Sequence, residues 1–182
     1  NFVSSDSTTI DGLTAGTTYF YRLRGFNSIG NSDFTDPIEF LTLPSVPPVD
    51  ITGIQNITQT SAQVFWNNTN GIKDGHQIQV SRDSTFTNSN HFLAGYELKT
   101  ISDNSIFDAT IEGMIPGTRY YFRVRAFNTS GFSTYSEILK ILTTPLTPIF
   151  PNDSIADIGQ TSATIRWQQV PEILDEYVME IS

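Results

Sequence analysis

The sequence predicts an all-β chain made of tandem β-sandwich modules. Three observations carry that expectation: self-similarity at one long offset, apolar residues alternating with polar ones, and turn-forming residues between the alternating runs. Ile10-Asp11-Gly12-Leu13 is answered by Ile111-Glu112-Gly113-Met114, and Gln59-Thr60-Ser61-Ala62 by Gln160-Thr161-Ser162-Ala163, both at an offset of 101 residues. The same offset maps Tyr19 to Tyr120, Arg22 to Arg123, Phe26 to Phe127, Gly30 to Gly131, Pro44 to Pro145 and Trp66 to Trp167 without a gap. That period is too long for a solenoid repeat and suits a small domain with its own core.

Each period reads as strands. Ala62, Val64 and Trp66 alternate with Gln63 and Phe65, and His76, Ile78 and Val80 alternate with Gln77 and Gln79. Tyr120, Phe122, Val124 and Ala126 alternate in the same way with Tyr121, Arg123 and Arg125. A period of two places successive side chains on opposite faces, as half-buried strands require. Asn70-Gly71, Asp74-Gly75, Pro116-Gly117 and Ser130-Gly131 punctuate these runs as turns, and nothing between them has helical spacing. Prolines 44, 47 and 48, then 145, 148 and 151, mark two junctions. Without an amide proton and with φ fixed, proline makes such junctions extended and semi-rigid.

Thr60-Ser61-Ala62-Gln63-Val64-Phe65-Trp66, followed by Gly113-Met114-Ile115-Pro116-Gly117-Thr118-Arg119-Tyr120-Tyr121-Phe122-Arg123-Val124-Arg125-Ala126-Phe127-Asn128, closely resembles fibronectin type III domains. The resemblance covers the whole chain and implies an immunoglobulin-like sandwich of seven strands in two sheets. It places Trp66 on the second strand and Tyr120 at the start of the sixth. The structural core it implies comprises Trp66, Met114, Tyr120, Phe122 and Val124, with Leu13, Tyr19, Tyr21 and Trp167 as counterparts in neighbouring copies. A buried Trp covers a large apolar area, and a corner tyrosine buries its ring while its hydroxyl bonds nearby backbone. Two departures are Gly25 where the other copy has Ala126, and Ala15 where it has Pro116.

Transferring register divides the chain into residues 1–44, the C-terminal part of a first module, 45–145, a complete module, and 146–182, the N-terminal part of a third. Residues 82–101 have no counterpart between the two ends, so the chain falls 20 residues short of two whole periods. A window on a longer array accounts for this. Head-to-tail completion between chains, which would build a filament, is the sharper alternative.

Nineteen acidic against ten basic residues give a formal charge of −9, which argues against nucleic acid as a partner. No run approaches the roughly 18 consecutive apolar residues of a membrane span, so no membrane insertion is expected. Cysteine is absent, which removes thiol nucleophiles, thiolate metal sites and disulfides. His76 and His91 have no ligand-spaced partner and no nearby nucleophile. Asp33 and Asp36, and Glu172, Asp175 and Glu176, lack calcium-loop spacing. No catalytic residue, metal site or cofactor is expected.

Candidate contact residues are Arg22, Arg24, Arg123 and Arg125, an outward cationic stripe suited to a carboxylated glycan or to acids on adjacent strands, and Phe132 in the following loop. Asn56, Asn67, Asn128 and Asn152 head N-glycosylation patterns. Ser154, Ser84 and Ser7, each after an aspartate, resemble O-glycosylation acceptors of Bacteroidota. That resemblance, with a cysteine-free acidic chain rich in Asn and Thr, implies a bacterial cell-surface adhesin or filament. The expected function is a non-catalytic extracellular stalk, fibre or adhesion array, its partners being neighbouring modules, other copies in a filament, and a glycan or surface ligand. A spacer or carbohydrate-binding accessory region of a secreted polysaccharide-degrading enzyme is the alternative, and a eukaryotic receptor ectodomain a third.

Overall fold

Alternation becomes pleat most clearly along the longest strand, where Tyr120, Phe122, Val124, Ala126 and Asn128 turn inward and are buried while their neighbours are not. The computed structural model describes residues 6–49, 53–171, 173 and 175–181. In chain order the strands are β1 (Thr18–Tyr21), β2 (Ile38–Leu41), β3 (Ile54–Gln55), β4 (Ser61–Phe65), β5 (Gly75–Ser81), β6 (Lys99–Ile101), β7 (Asp108–Glu112), β8 (Arg119–Asn128), β9 (Gly131–Phe132), β10 (Leu139–Leu142), β11 (Ile155–Ala156) and β12 (Thr164–Ile165). A short 3-10 turn at Ser89–His91 follows β5.

Two sheets enclose the core. One runs β3-β4-β7 and the other β10-β8-β5-β6, with β9 added to the end of β8. All pairings are antiparallel; Val64 lies opposite Ala109, Ile78 opposite Val124, and Ile141 opposite Tyr120. Val64, Ile78, Val80, Ile111, Phe122, Val124 and Ile141 are completely buried between the sheets. Each such side chain contributes about 1.5–3 kcal/mol of burial. Trp66 follows directly on β4, donates its amide to the Phe107 carbonyl at 2.9 Å, and is 3% exposed with its ring stacked 6.3 Å from Phe122. Gly75 is obligatory at the start of β5, because a Cβ there would stand 2.0 Å from the Ile101 carbonyl oxygen of β6.

Trp66, Met114, Tyr120, Phe122 and Val124 are all buried. Their counterparts are not equally so. Leu13 and Tyr19 are half-buried, while Tyr21 is 40% and Trp167 38% exposed, which corrects their expected place in a core. The reason is topological: among the described residues β1 pairs with β2 alone and β11 with β12 alone, so neither hairpin has an opposing sheet there. Each outer segment carries two strands among the described residues. Residues 7–11 and 176–181 are not in strands, since the partners that hold their counterparts β7 and β5, namely β4 and β8, have no copy available to them.

The corner geometry nevertheless recurs. Tyr120 Oη accepts the Ile115 amide at 2.9 Å and Tyr19 Oη accepts the Thr14 amide at 2.9 Å. The hydroxyls of Thr143 and Thr42 donate to the carbonyls of Ile115 and Thr14, each at 2.7 Å. These bonds are short-range or within one hairpin, so they survive where the opposing sheet is lacking.

Candidate interaction surface

The outward face of β8 carries Arg123 and Arg125 two residues apart, so both guanidinium groups rise from the same side of the strand. Register on β5 puts Gln79 beside Arg123 and Gln77 beside Arg125. Arg123 Nε donates to Gln79 Oε1 at 2.7 Å, and Arg125 Nε donates to Gln77 Oε1 at 2.9 Å. The glutamines are themselves anchored: Gln79 Nε2 donates to the Glu97 carbonyl at 2.6 Å and Gln77 Nε2 to Thr100 Oγ1 at 3.4 Å.

Aromatic rings complete the arrangement. Arg123 lies 4.1 Å from the Phe86 ring centre and 3.9 Å from that of Tyr135. Arg125 lies 4.6 Å from Tyr135 and 4.0 Å from Phe132. Rings and cations therefore alternate, Phe86, Arg123, Tyr135, Arg125, Phe132, in one ladder. A guanidinium is planar and weakly hydrated, so it stacks on rings while its remaining N–H groups stay free for an acceptor. Burial holds the Arg123 pKa below the usual arginine range and the neighbouring Arg125 charge adds to this, while Tyr135 opposes it. The group remains a cation at neutral pH.

In the first segment Arg22 and Arg24 follow β1 and lie 4.1 Å and 4.8 Å from the Phe34 ring. Phe34 is the counterpart of Tyr135 at the 101-residue offset. The motif is thus repeated in reduced form, with one ring in place of three. Pairing of these arginines with acids on adjacent strands is not what the structure shows. Among the described residues the ion pair present is Arg166 with Asp157, at 3.8 Å. Glutamines and rings occupy the places where acids were expected. Phe132 is 44% exposed and packs on Phe127 at 5.9 Å, closing one end of the ladder. Phe86, Tyr135, Gln77 and Gln79 were missed from sequence; the offset matching Phe34 to Tyr135 was the signal available for one of them.

Elsewhere the chemistry is structural. His76 is completely buried, with neither ring nitrogen hydrogen-bonded, between Trp66 at 5.3 Å and Phe107 at 5.6 Å. Burial first, and the nearby Lys73 charge second, push its pKa down to about 4. His91 is exposed and its ring nitrogen lies 3.5 Å from Asn88 Nδ2. No group of three His, Asp or Glu side chains among the described residues is placed to hold a metal ion. Asp33, Asp36, Asp175 and Glu176 are exposed, and Glu172 lies outside the described residues.

Ser7 and Ser84 are exposed and Ser154 is half-buried. Asp83, beside Ser84, accepts the amides of Thr85, Thr87 and Asn88 at 2.9, 3.0 and 3.0 Å, which holds its carboxyl far below the usual range. Asn56, Asn67 and Asn152 are exposed, but Asn128 is only 6% exposed and its Nδ2 donates to the carbonyls of Thr42 and Ile72. A glycan on Asn128 would have to replace those bonds in a closed space.

The family model for the fibronectin type III domain matches residues 46–141. The chain is 27% identical over 171 residues to protein sidekick-2 of Mus musculus, covering 88% of this chain and 7% of that protein. It is 29% identical over 164 residues to fibronectin type III domain-containing protein 1 of Margaritifera margaritifera, covering 86% of this chain and 20% of that protein. The chain therefore spans a small fraction of the curated relatives it matches. A two-domain fibronectin type III segment of chicken tenascin has the same fold, with a TM-score of 0.53 at 21% identity over 72% of this chain and 68% of that one. These relatives are animal proteins, which replaces the expected kinship with bacterial adhesins; Asp-Ser pairs and composition are too generic to indicate lineage.

Proposed function

The chain belongs to the fibronectin type III family, and from that membership we propose a non-catalytic extracellular array that spaces and presents an adhesive face. Its organisation is residues 1–44 and 146–182 as parts of modules flanking a complete one at 45–145. The family match indicates no enzyme, and among the described residues no helix is long and apolar enough to cross a membrane. Neighbouring modules are the constant partners.

The observation that carries the adhesive part is the ladder: two fixed guanidinium groups side by side, flanked by three rings, with no carboxylate paired to them among the described residues, in a chain of net charge −9. Fixed guanidinium groups lose little entropy on binding, and planar forks match carboxylates. An anionic glycan or an acidic protein surface is the chemistry this face fits. Calorimetric titration of the chain with a uronic-acid polysaccharide tests it. Binding that weakens as salt rises, and that disappears in Arg123→Gln/Arg125→Gln with the cooperative unfolding of the middle module retained at a modestly lowered midpoint, is expected. Identical binding in that double variant, or none to carboxylated or sulfated glycans at low salt, would remove the adhesive role of this face.

A further inference from the structure

Hydrogen bonds recur across the two proline-marked junctions at the same 101-residue offset that relates the sequences. At the first, the Ile72 amide donates to the Gly16 carbonyl at 2.6 Å, and at the second the Ile173 amide donates to the Gly117 carbonyl at 3.0 Å. Behind each acceptor the turn is held in one way: Gly16 donates to Leu43 O at 2.8 Å, and Gly117 to Thr144 O at 3.1 Å. Ahead of each donor the linker is tied back in one way: Asn67 donates to Pro48 O and Gln168 to Ile149 O, both at 2.9 Å. Every residue in the second set is the first plus 101.

Side chains of the middle module close the first junction. Asn128 Nδ2 bridges Thr42 O at 2.9 Å and Ile72 O at 3.2 Å, while Ser130 Oγ donates to Leu41 O at 2.6 Å. Contact is close enough to demand glycine: Gly16 has φ +59°, and a Cβ there would lie 2.8 Å from the Ile72 nitrogen. Glu172 stands in the third copy where Gly71 stands in the second. Prolines alone would leave Val46 between them free to rotate. Bonds from a loop of one module to the turn and last strand of its neighbour remove that freedom.

We propose that the modules dock through one repeated junction, in which the turn at Gly16 or Gly117 receives the loop amide of Ile72 or Ile173 from the next module, so that the array is a stiff superhelical rod. The partner this surface fits is the loop end of a following copy, and an equal rotation at each step generates a screw. The inference rests on the tandem organisation proposed above and adds to it a fixed geometry.

The 182-residue chain contains no cysteine, so pairs of spin labels can be placed freely for dipolar distance measurement. Glu39→Cys with Asn68→Cys spans the first junction, and the equivalent Lys140→Cys with Gln169→Cys spans the second; all four positions are exposed. Asp11→Cys with Ser28→Cys, and Ile158→Cys with Gln169→Cys, report within the outer segments. Narrow distributions with overlapping means across both junctions are expected. Adding Asn128→Asp and Ser130→Ala, which keeps the Asn128 loop acceptor but removes both clamps, is expected to broaden the first junction alone. Broad or unequal junction distances with narrow internal pairs would overturn the fixed junction and leave the tandem reading standing. Broad internal pairs in the outer segments would overturn the tandem reading, and the junction with it.

Discussion

Trp66 and Trp167 occupy the same place in two copies of the repeat, and their immediate surroundings are alike. Trp66 meets His76 at 5.3 Å and 60°, and Trp167 meets Tyr177, the counterpart of His76, at 5.4 Å and 61°. Yet Trp66 is 3% exposed and Trp167 is 38% exposed. Local chain geometry brings each pair of rings together. Burial comes from the sheet β10-β8-β5-β6, which has no counterpart among the described residues of 146–181. The same division separates Tyr120, 1% exposed, from Tyr19, half-buried, although both accept a backbone amide at 2.9 Å. Pattern thus sets local contacts, and long-range pairing decides how much each contact is worth.

Truncating the tryptophans is the largest test of that division. Trp66→Ala removes a ring packed on Phe122 and His76 and is expected to cost about 3–5 kcal/mol in the denaturant unfolding of the middle module. Trp167→Ala is expected to leave that transition unmoved. Equal losses in the two variants would show that residues 146–181 share the core, contrary to the comparison.

His76 sharpens the contrast through pH. Its folded pKa of about 4 lies below the ordinary value of 6.5, so the unfolded chain takes up the proton first. Stability is therefore full above pH 6.5 and falls as pH drops from there towards 4, by up to about 3 kcal/mol at one pKa unit per 1.36 kcal/mol. Urea midpoints measured across that window check it. His76→Tyr installs the residue that the third copy carries, and is expected to flatten the profile between pH 6.5 and 4.

The middle fold was legible because its signal is local and repeated: alternation along Tyr120, Phe122 and Val124, turns at Pro116-Gly117, and Trp66 at a fixed distance after Gln59. Tyr21 and Trp167 misled because periodicity reports which way a side chain points, not whether a second sheet stands opposite. The ladder was half legible. Arg123 and Arg125 share a face by spacing alone, but Phe86 and Tyr135 reach them from segments 37 and 12 residues away from Arg123, respectively, and no short pattern encodes that meeting. Acids were expected beside the arginines from charge alone; register supplied Gln77 and Gln79 instead.

The corner tyrosines give the next effect in size. Tyr120→Phe leaves the Ile115 amide without its acceptor in a part-buried site, at a cost of about 1–2 kcal/mol. Tyr19→Phe exposes the Thr14 amide to water, which replaces the bond, so a smaller effect is expected. Amide hydrogen exchange checks both: faster exchange at Ile115 in the first variant and little change elsewhere in the middle module.

The ladder provides the smallest effect and the finest comparison. Arg123 stacks between two rings and bonds Gln79, whereas Arg22 stacks on Phe34. Charge is held constant by Arg123→Lys, which loses the planar fork and its two faces but keeps the cation. Roughly 1 kcal/mol of stability is expected to go with it. The same change at Arg22 should cost less, because one ring is present and among the described residues no opposing sheet covers the β1-β2 hairpin. Thermal midpoints of the two variants, taken at neutral pH and repeated at high salt, separate stacking from charge. A stacking contribution persists when salt screens the surface, so the difference between Arg123→Lys and Arg22→Lys should remain.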